Sequence, residues 1–355
     1  MAVQNVAIIG MGLLGTSLGM ALRGGNCHRL CWTRRAEIRS WCLEHDAADE
    51  TADDIETILA KADLTVFALP IPQIIAFMEK YAHVWRKGAV VTDMGSIKGW
   101  IMDAAERSLI PAGVQFVGSH PMAGTEKSGC ENAFPTLYSN ADVFICPGSN
   151  ATPEAVEDVK AFWRSINTKP VMIPADAHDS LVAHTSHVLH VVASGLAMAI
   201  LNSDDEKEKA LRFAGCATGF RDTSRIASSN PAMWREIIEY NTPAVLGALK
   251  NFEDALAEYR KMIAEGRYDD FEQAFADGKV LRDSWLKYKY SYMYLSKRVV
   301  TISFVSLLLD LKITVSPGDN LSTGTSETSS FALSNTKALY FLVKKTLSPS
   351  AQVAI

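Results

Sequence analysis

The 355-residue sequence predicts an α/β domain with a mostly parallel, doubly wound sheet, followed by an all-α helical domain. Short apolar runs alternate with amphipathic segments through the first half, which is typical of a parallel sheet covered by helices. From Asp176 to about Lys289, long amphipathic segments replace these runs almost completely. We therefore divide the chain into residues 1–174, residues 175–289 and an atypical C-terminal tail, residues 290–355.

Each expected strand is a short apolar run bounded by polar or turn-forming residues. The expected strands are, in chain order, residues 5–9, 29–33, 64–69, 89–93, 114–118, 142–146 and 170–173. Other segments repeat their apolar residues with a helical period. The expected helices include residues 13–23, 74–85, 98–109, 180–201 and 242–264.

The composition excludes several classes of protein. A net charge of −5 argues against a nucleic-acid partner, because such proteins gather Lys and Arg against phosphates. The longest apolar run, residues 299–309, is about half of what a bilayer span needs, so we expect no membrane segment. Six irregularly spaced cysteines without a secretory leader indicate reduced thiols in a cytoplasmic protein. Their spacing predicts no metal site.

A glycine motif follows the first expected strand and opens the first expected helix. In this G-x-G-x-x-G, the first glycine permits a tight turn, the second lets the backbone approach a pyrophosphate, and the third allows close packing. The helix N-terminus would supply N–H donors to the phosphates. The candidate cofactor-binding residues are Gly10, Gly12, Leu13, Leu14 and Gly15. A plain structural turn is the alternative.

The end of the second expected strand favours NADP over NAD, although NAD stays possible. An acid that would hold the ribose 2′-hydroxyl is missing there, and the strand ends instead in Thr33, Arg34 and Arg35. Guanidinium groups present a fork of donors that suits a 2′-phosphate. Alternatively, the two arginines only start a solvated helix.

A polar loop after the fifth expected strand carries a histidine, a hydroxyl and an acid. Its residues 118–129 read GSHPMAGTEKSG, with His120 near the start. The carboxyl edge of a parallel sheet is where open α/β folds bind ligands, so His120 is a candidate functional-site residue. A solvated polar loop is the alternative.

The segment 119–129 resembles the signature of the prephenate/arogenate dehydrogenases, the TyrA family of tyrosine biosynthesis. The resemblance runs over about residues 3–288 and continues in residues 91–98, 184–190, 219–227 and 230–234. It implies a Rossmann domain followed by a helical domain that forms a homodimer. It also implies an NAD(P)-dependent oxidative decarboxylation of prephenate, arogenate or both, without choosing between them.

The resemblance implies roles for two catalytic residues. His120 matches the histidine that draws the hydroxyl proton while hydride passes to the nicotinamide and CO₂ departs. An imidazole suits this role near neutral pH. Ser96 matches the residue that orients this histidine and lies near the nicotinamide, and Leu69 is added to the cofactor contacts. Ser96 is also a candidate N-cap of the expected helix 98–109.

The same resemblance implies a substrate site for a diacid. Arg225 matches the residue that binds a substrate carboxylate. A further set matches substrate-side positions: Thr125, Glu126, Ser186, His187, His190, Asp222 and Trp234. Trp234 either reaches the neighbouring subunit's site or packs in the core. Tyrosine is a possible feedback inhibitor.

Three histidines recur every third residue in the expected helix 180–201. We expect His184, His187 and His190 to share one side that faces the cleft between the domains, with His184 in a structural role. The apolar positions expected to pack this helix into its domain are Leu181, Val188, Leu189 and Val192. The resemblance implies no metal at these imidazoles.

Two other functions stay open. One is a dehydrogenase of the β-hydroxyacid type, which would use a lysine from the first long helix of the helical domain, where this chain has histidines. The other is a nucleotide-sensing module without catalysis. In the tail, residues 313–322 resemble the opening of an EPSP synthase domain, which indicates an altered fusion junction or an added helical segment without a part in catalysis.

Overall fold

The computed structural model describes residues 3–125 and 127–310, with side chains described as far as Lys289. One compact unit ends at Ala257, and a second begins at Glu258. Because the described residues end at residue 310, most of the predicted tail, including the segment 313–322, lies outside them.

The first unit contains an eight-stranded sheet with the order β3-β2-β1-β4-β5-β6-β7-β8. Neighbouring strands pair in parallel except β6 and β7, which are antiparallel, so the prediction of a mostly parallel, doubly wound sheet is confirmed. The strands are β1 (Asn5–Ile9), β2 (His28–Trp32), β3 (Glu50–Thr51), β4 (Leu64–Phe67), β5 (Val90–Asp93), β6 (Gln115–Pro121), β7 (Asp142–Pro147) and β8 (Lys169–Met172). Only β3 was not predicted, because two polar residues carry no apolar pattern.

Helices cover both faces of this sheet. They are α1 (Leu13–Ala21), α2 (Ala36–Glu44), α3 (Ile55–Lys61), α4 (Ile71–Tyr81), α5 (Gly99–Ser108) and α6 (Pro153–Ser165). Successive strand residues point to opposite faces, so Ala7 and Ile9 of β1 join the core beneath α3, α4 and α5. Val6 and Ile8 join the core beneath α1, α2 and α6. Burial on both faces explains why the strands are continuous apolar runs.

The chain becomes helical after β8. The helices are α7 (Ala175–Val182), α8 (Val188–Leu201), α9 (Glu206–Gly215), α10 (Thr218–Ser224), α11 (Pro231–Tyr240), α12 (Thr242–Ala264) and α13 (Tyr268–Asp310). A π-helical turn, Ala183–His187, joins α7 to α8, and a 3₁₀ turn, Arg225–Ser228, precedes α11. The expected helix 242–264 coincides with α12.

The π-helical turn corrects the expectation for the three histidines. It adds a residue to one turn and so shifts the phase of the helix. His184 is exposed while His187 is 1% exposed, so the histidines do not share one environment. The packing expectation is only partly right, since Val188 is buried but Leu189 is 50% exposed.

The helices after β8 leave large apolar side chains uncovered. The continuous helical run Ala175–Leu201 is long and apolar enough to cross a membrane by length and composition, and 17% of its most apolar window is buried. Polar residues interrupt this run, so it contains no long uninterrupted apolar stretch in the sequence. Other exposed side chains are Met198, Leu211, Phe213, Leu246, Leu256, Phe275 and Trp285. Faces of this kind are typical of surfaces that need a partner.

Candidate functional site

The glycine motif forms a tight loop between β1 and α1. Gly10 has a φ of +103°, and a Cβ there would overlap the Ala68 carbonyl and the Leu69 side chain. A Cβ at Gly15 would overlap the Gly10 carbonyl, so α1 packs directly against the loop. Nothing lies within 4 Å of the Cβ position at Gly12. The loop therefore has the turn, the packing and the open space that the motif predicts.

The start of α1 is suited to a phosphate. Gly12 is the N-cap without a side-chain hydrogen bond, and the first turn, which begins with Leu13 and Leu14, has no acidic residue. Its backbone N–H groups and the helix dipole therefore favour an anion. These residues fit the pyrophosphate of a dinucleotide.

The end of β2 carries the three residues predicted to contact the ribose. Thr33 is partly exposed, and Arg34 and Arg35 are exposed. Arg39 holds this backbone, because its Nη1 donates to the Thr33 carbonyl at 2.7 Å. The carboxylate of Asp53, at the end of β3, is ion-paired to Arg39. Asp53, an acidic residue at this edge of the sheet, is thus paired with Arg39.

A fully buried ion pair joins β5 to β6 behind the histidine loop. The side chains of Asp93 and Lys98 are both 0% exposed and bind each other. Lys98 Nζ also donates to the Ser119 carbonyl at 2.8 Å, and Asp93 Oδ1 accepts the Ser119 N–H at 3.0 Å. Ser119 is therefore fixed, and with it the start of the loop that carries His120. Sequence reasoning missed this pair, although two charges within the segment 91–98 were its signal.

His120 belongs to a relay of two imidazoles and a carboxylate. His120 Nδ1 lies 2.9 Å from His178 Nε2, and His178 Nδ1 lies 2.8 Å from Asp179 Oδ1. A carboxylate only accepts, so His178 donates from Nδ1 and its Nε2 accepts. His120 must then donate from Nδ1, which leaves Nε2 of a neutral His120 as a lone pair. This nitrogen is therefore free to accept a proton, and the catalytic role of His120 stays a prediction.

Burial and neighbouring charges keep the two imidazoles of the relay neutral and the carboxylate of Asp179 ionised. Burial lowers the pKa of His120 well below its ordinary value of 6.5, and the positive charge of Lys98 acts in the same direction. Burial also lowers the pKa of His178. Burial opposes the ionised form of Asp179, but hydrogen bonds from His178 and from the backbone of Gly99 and Lys98 lower its pKa overall. Neutral imidazoles beside an ionised carboxylate result.

Asp179 also corrects the expected cap of α5. The Lys98 and Gly99 N–H groups donate to its carboxylate at 2.7 and 2.8 Å. Ser96 lies three residues before α5 begins at Gly99, and no capping side chain comes from the N-cap residue itself. The N-cap role of Ser96 is therefore wrong. Its contact with the nicotinamide and with His120 stays a prediction.

A second histidine cluster lies on the π-helical turn and α8. The His190 ring stacks on Trp234 with centroids 3.7 Å apart, and His187 meets the same indole edge-on at 5.9 Å. His190 Nδ1 donates to the Ser186 carbonyl at 3.0 Å. Burial lowers the pKa of His187 to about 4 and also lowers that of His190.

Trp234 is partly buried in the first compact unit. It packs against the core beneath α3, α4 and α5, as one of its two expected roles requires. Its Nε1 is buried and has no hydrogen-bond partner among the described residues. A contact with a neighbouring subunit stays a prediction.

The remaining expected substrate residues are more exposed. Arg225 starts the 3₁₀ turn and makes no ion pair within the described residues, and its charge contributes, after burial, to the low pKa of His190. Asp222 pairs with Arg221 at 3.0 Å. Thr125 Oγ1 accepts the Lys127 N–H at 3.1 Å.

Two expectations around this cluster have different outcomes. Glu126 lies outside the described residues. His184 has the expected structural role, since Nδ1 lies 2.9 Å from the Ser180 carbonyl and Nε2 lies 3.2 Å from Asn251 Nδ2.

Comparison with known proteins identifies the family. The family model for the nucleotide-binding domain of prephenate dehydrogenase matches residues 33–172, and the model for its dimerization domain matches residues 174–277. The prephenate dehydrogenase of Bacillus subtilis is 31% identical over 79% of this chain and 75% of its own. The cyclohexadienyl dehydrogenase of Zymomonas mobilis is 28% identical over 79% of this chain and 95% of its own.

Solved structures support the same family assignment. The prephenate dehydrogenase of Aquifex aeolicus, in complex with hydroxyphenyl propionate and NAD⁺, has a TM-score of 0.73 at 28% identity and covers 79% of this chain and 98% of its own. The Synechocystis arogenate dehydrogenase has a TM-score of 0.71 at 26% identity and covers 79% and 100%. A 3-hydroxyisobutyrate dehydrogenase of Salmonella typhimurium, at 14% identity, shares the fold alone. The chain thus belongs to the prephenate dehydrogenase family, as its motifs implied.

Proposed function

We propose that the chain catalyses the NADP-linked oxidative decarboxylation of prephenate, arogenate or both, with His120 as the proton acceptor. One observation carries the proposal: the relay through His178 and Asp179 leaves Nε2 of His120 unprotonated at the carboxyl edge of the sheet. The nucleotide loop after β1 lies at the same edge of the sheet, because β1 and β6 run in the same direction.

Each residue of the relay has a separate role in the proposed reaction. His120 Nε2 takes the proton of the ring hydroxyl as the C–H bond at that carbon breaks. A nicotinamide dinucleotide held at the glycine loop would supply the hydride acceptor. The electrons of the departing carboxylate then enter the ring as CO₂ leaves, and the phenolate oxygen that results takes the proton back from His120. Asp179, acting through His178, stabilises the imidazolium that forms on His120.

Cationic and neutral donors would recognise the substrate. Arg225 offers a planar fork to a carboxylate. His187, neutral at physiological pH, and His190 lie beside Trp234, whose ring supplies an apolar wall. The ligand named for the Aquifex aeolicus structure, hydroxyphenyl propionate, combines a ring with a carboxylate. Tyrosine has the same two features, which supports the proposal that it inhibits.

NADP is the proposed cofactor because of the end of β2. Arg34 and Arg35 are exposed there, and Asp53 is engaged by Arg39. The Aquifex aeolicus structure holds NAD⁺ and shows that a nicotinamide dinucleotide suits the family. The preference for the 2′-phosphate rests on these residues of this chain.

A cytoplasmic homodimer completes the proposal. The exposed apolar residues of α8, α9 and α12 fall within the match to the dimerization domain. Six free cysteines, four of them buried, suit a reducing compartment. Light scattering should give the mass of two chains, and a monomer would contradict this part of the proposal.

A substrate-by-cofactor matrix tests the activity. Prephenate, arogenate and 3-hydroxyisobutyrate are each assayed with NAD and NADP by the appearance of reduced nicotinamide. We expect turnover with prephenate, arogenate or both, faster with NADP. Turnover of 3-hydroxyisobutyrate alone would favour the β-hydroxyacid alternative, and cofactor binding without any turnover would favour a sensing module.

The double variant Thr33→Asp/Arg34→Ser tests the cofactor preference. An acid at the ribose should accept the 2′-hydroxyl and repel a 2′-phosphate, so kcat/KM should shift toward NAD by roughly tenfold or more. Arg107→Ser, which removes an exposed arginine from the last turn of α5, is the matched control. A wild-type enzyme that already favours NAD tenfold would contradict this interpretation of β2.

A further inference from the structure

Asn241 is a buried amide that contacts the histidine cluster. It is the C-cap residue of α11, is 5% exposed, and lies in the first compact unit. Its side chain donates to the Asp179 carbonyl at 2.9 Å and contacts His187 Nδ1 at 3.2 Å through the same nitrogen. It therefore connects the element that carries the His178–Asp179 pair to the substrate-side cluster.

The contacts fix the orientation of this amide. A backbone carbonyl is only an acceptor, so the atom of Asn241 that faces the Asp179 carbonyl must be the NH₂ nitrogen. That nitrogen has two protons and no acceptor capacity. It therefore donates its second proton to His187 Nδ1.

The donation decides the tautomer of His187. A ring nitrogen that accepts a hydrogen bond has no proton, so the single proton of a neutral imidazole resides on Nε2. His190 has the opposite arrangement, because its Nδ1 donates to the Ser186 carbonyl and leaves Nε2 as a lone pair. Two neighbouring imidazoles thus offer one donor and one acceptor.

We propose that Asn241 is a positioning residue of the active site, which holds His187 in the Nε2–H tautomer so that it offers a substrate oxygen a neutral donor. The inference rests on the proposed function and assigns it a further residue. Asn241 acts through His187 and touches no reacting atom itself.

The groups around His187 determine how its charge responds to a change at position 241. Asp179 and His178 face it from α7, His190 from α8 and His120 from β6. Among these, only Asp179 favours the imidazolium. A second carboxylate at position 241 would accept a hydrogen bond from Nδ1–H of His187, favour the imidazolium and raise the pKa of His187.

The first experiment reads the tautomer directly. Long-range ¹H–¹⁵N correlation spectra of histidine-labelled wild-type protein, with His187 assigned by comparison with His187→Gln, should show protonated Nε2 and unprotonated Nδ1 from pH 6 to 8. Protonated Nδ1 in the wild type would overturn the inference. This measurement does not depend on the substrate.

The second experiment uses Asn241→Asp and the pH profile of kcat/KM. We expect a new ionisation between pH 5 and 8, and KM for the preferred substrate raised roughly tenfold at pH 8, where the donor at Nε2 is lost. The double variant Asn241→Asp/His187→Gln should lose the new ionisation. Asn202→Asp, the same change at the exposed C-cap of α8, should keep the wild-type profile.

The outcomes separate the two proposals. A wild-type enzyme that turns over neither prephenate nor arogenate would contradict the proposed function, whatever the tautomer. An active wild type with an unchanged Asn241→Asp profile, or a new ionisation that persists without His187, would overturn the role of Asn241.

Discussion

The hydrogen bond made by Nδ1 of each histidine determines what the other ring nitrogen, Nε2, can do. His120, His187 and His190 are the same residue type, yet their Nδ1 atoms contact an imidazole, an amide and a carbonyl respectively. Each partner decides which ring nitrogen has the proton. Residue identity alone would make the three interchangeable, and the contacts give them different roles.

His120→Asn tests the proton acceptor. The amide can still donate to His178 but cannot take a proton, so kcat should fall by about two to four orders of magnitude with little change in KM. Steady-state kinetics with the preferred substrate measure both constants. The exposed His83→Asn is the control and should keep wild-type kinetics. A near-native kcat for His120→Asn would remove His120 from the mechanism.

Arg225→Ala tests the carboxylate contact. Loss of a charge-assisted pair should weaken substrate binding by about 2–4 kcal/mol, seen mainly as a higher KM. Arg225→Lys keeps the charge without the planar fork and should give an intermediate KM. Arg107→Ala is the control, because its guanidinium is exposed and lies outside the expected substrate site. An unchanged KM in Arg225→Ala would make Arg225 an ordinary surface cation.

At the scale of elements, the site is assembled where helix ends meet strand ends. Asp179 of α7 caps α5, so the same carboxylate fixes a helix and the hydrogen-bonded relay that ends at His120. The π-helical turn Ala183–His187 then rotates the following helix and buries His187. Elements and catalytic groups therefore depend on the same few hydrogen bonds.

Lys98→Met tests the connection between β5 and β6. The substitution keeps the apolar stem but leaves Asp93 buried without its cation, which should cost about 3–5 kcal/mol of unfolding free energy. Chemical denaturation measures the loss. Lys160→Met removes a cation from the surface pair with Glu157 and should cost far less. Equal losses of unfolding free energy in the two variants would show that the buried pair contributes no more to stability than the surface pair.

For the whole molecule, burial of neutral histidines makes stability depend on pH. The folded pKa of His187, about 4, is below the unfolded value of about 6.5. The unfolded chain therefore binds more protons between these values, and stability falls as the pH is lowered through this window. The lowered pKa values of His120 and His178 act in the same direction.

Denaturation at pH 7.5 and pH 5 tests this linkage. His187 alone should account for about 2 kcal/mol of the loss at pH 5, so His187→Gln should show a correspondingly smaller difference between the two pH values. His184→Gln, on the exposed side of the same turn, should keep the wild-type difference. An unchanged difference in His187→Gln would contradict the burial of a neutral imidazole.

Local patterns in the sequence were sufficient for much of the fold. Strand positions followed from apolar runs because a parallel sheet is buried on both faces, and α12 followed from its helical period. The glycine loop was predictable because only glycine adopts the φ of Gly10 beside Ala68 without overlap. The loop that carries His120 was found because its residues are contiguous.

The partners of those residues required the tertiary structure. His178 lies 58 positions from His120, and Asn241 lies 62 positions from Asp179. No periodicity indicates such a pair, because a hydrogen bond between distant segments exists only when packing brings both there. The antiparallel pairing of β7 and the cap of α5 have the same origin. The sequence by itself determined the family and most of the strands. The tertiary structure decided which atoms hold the protons, since that depends on contacts between segments far apart in the chain.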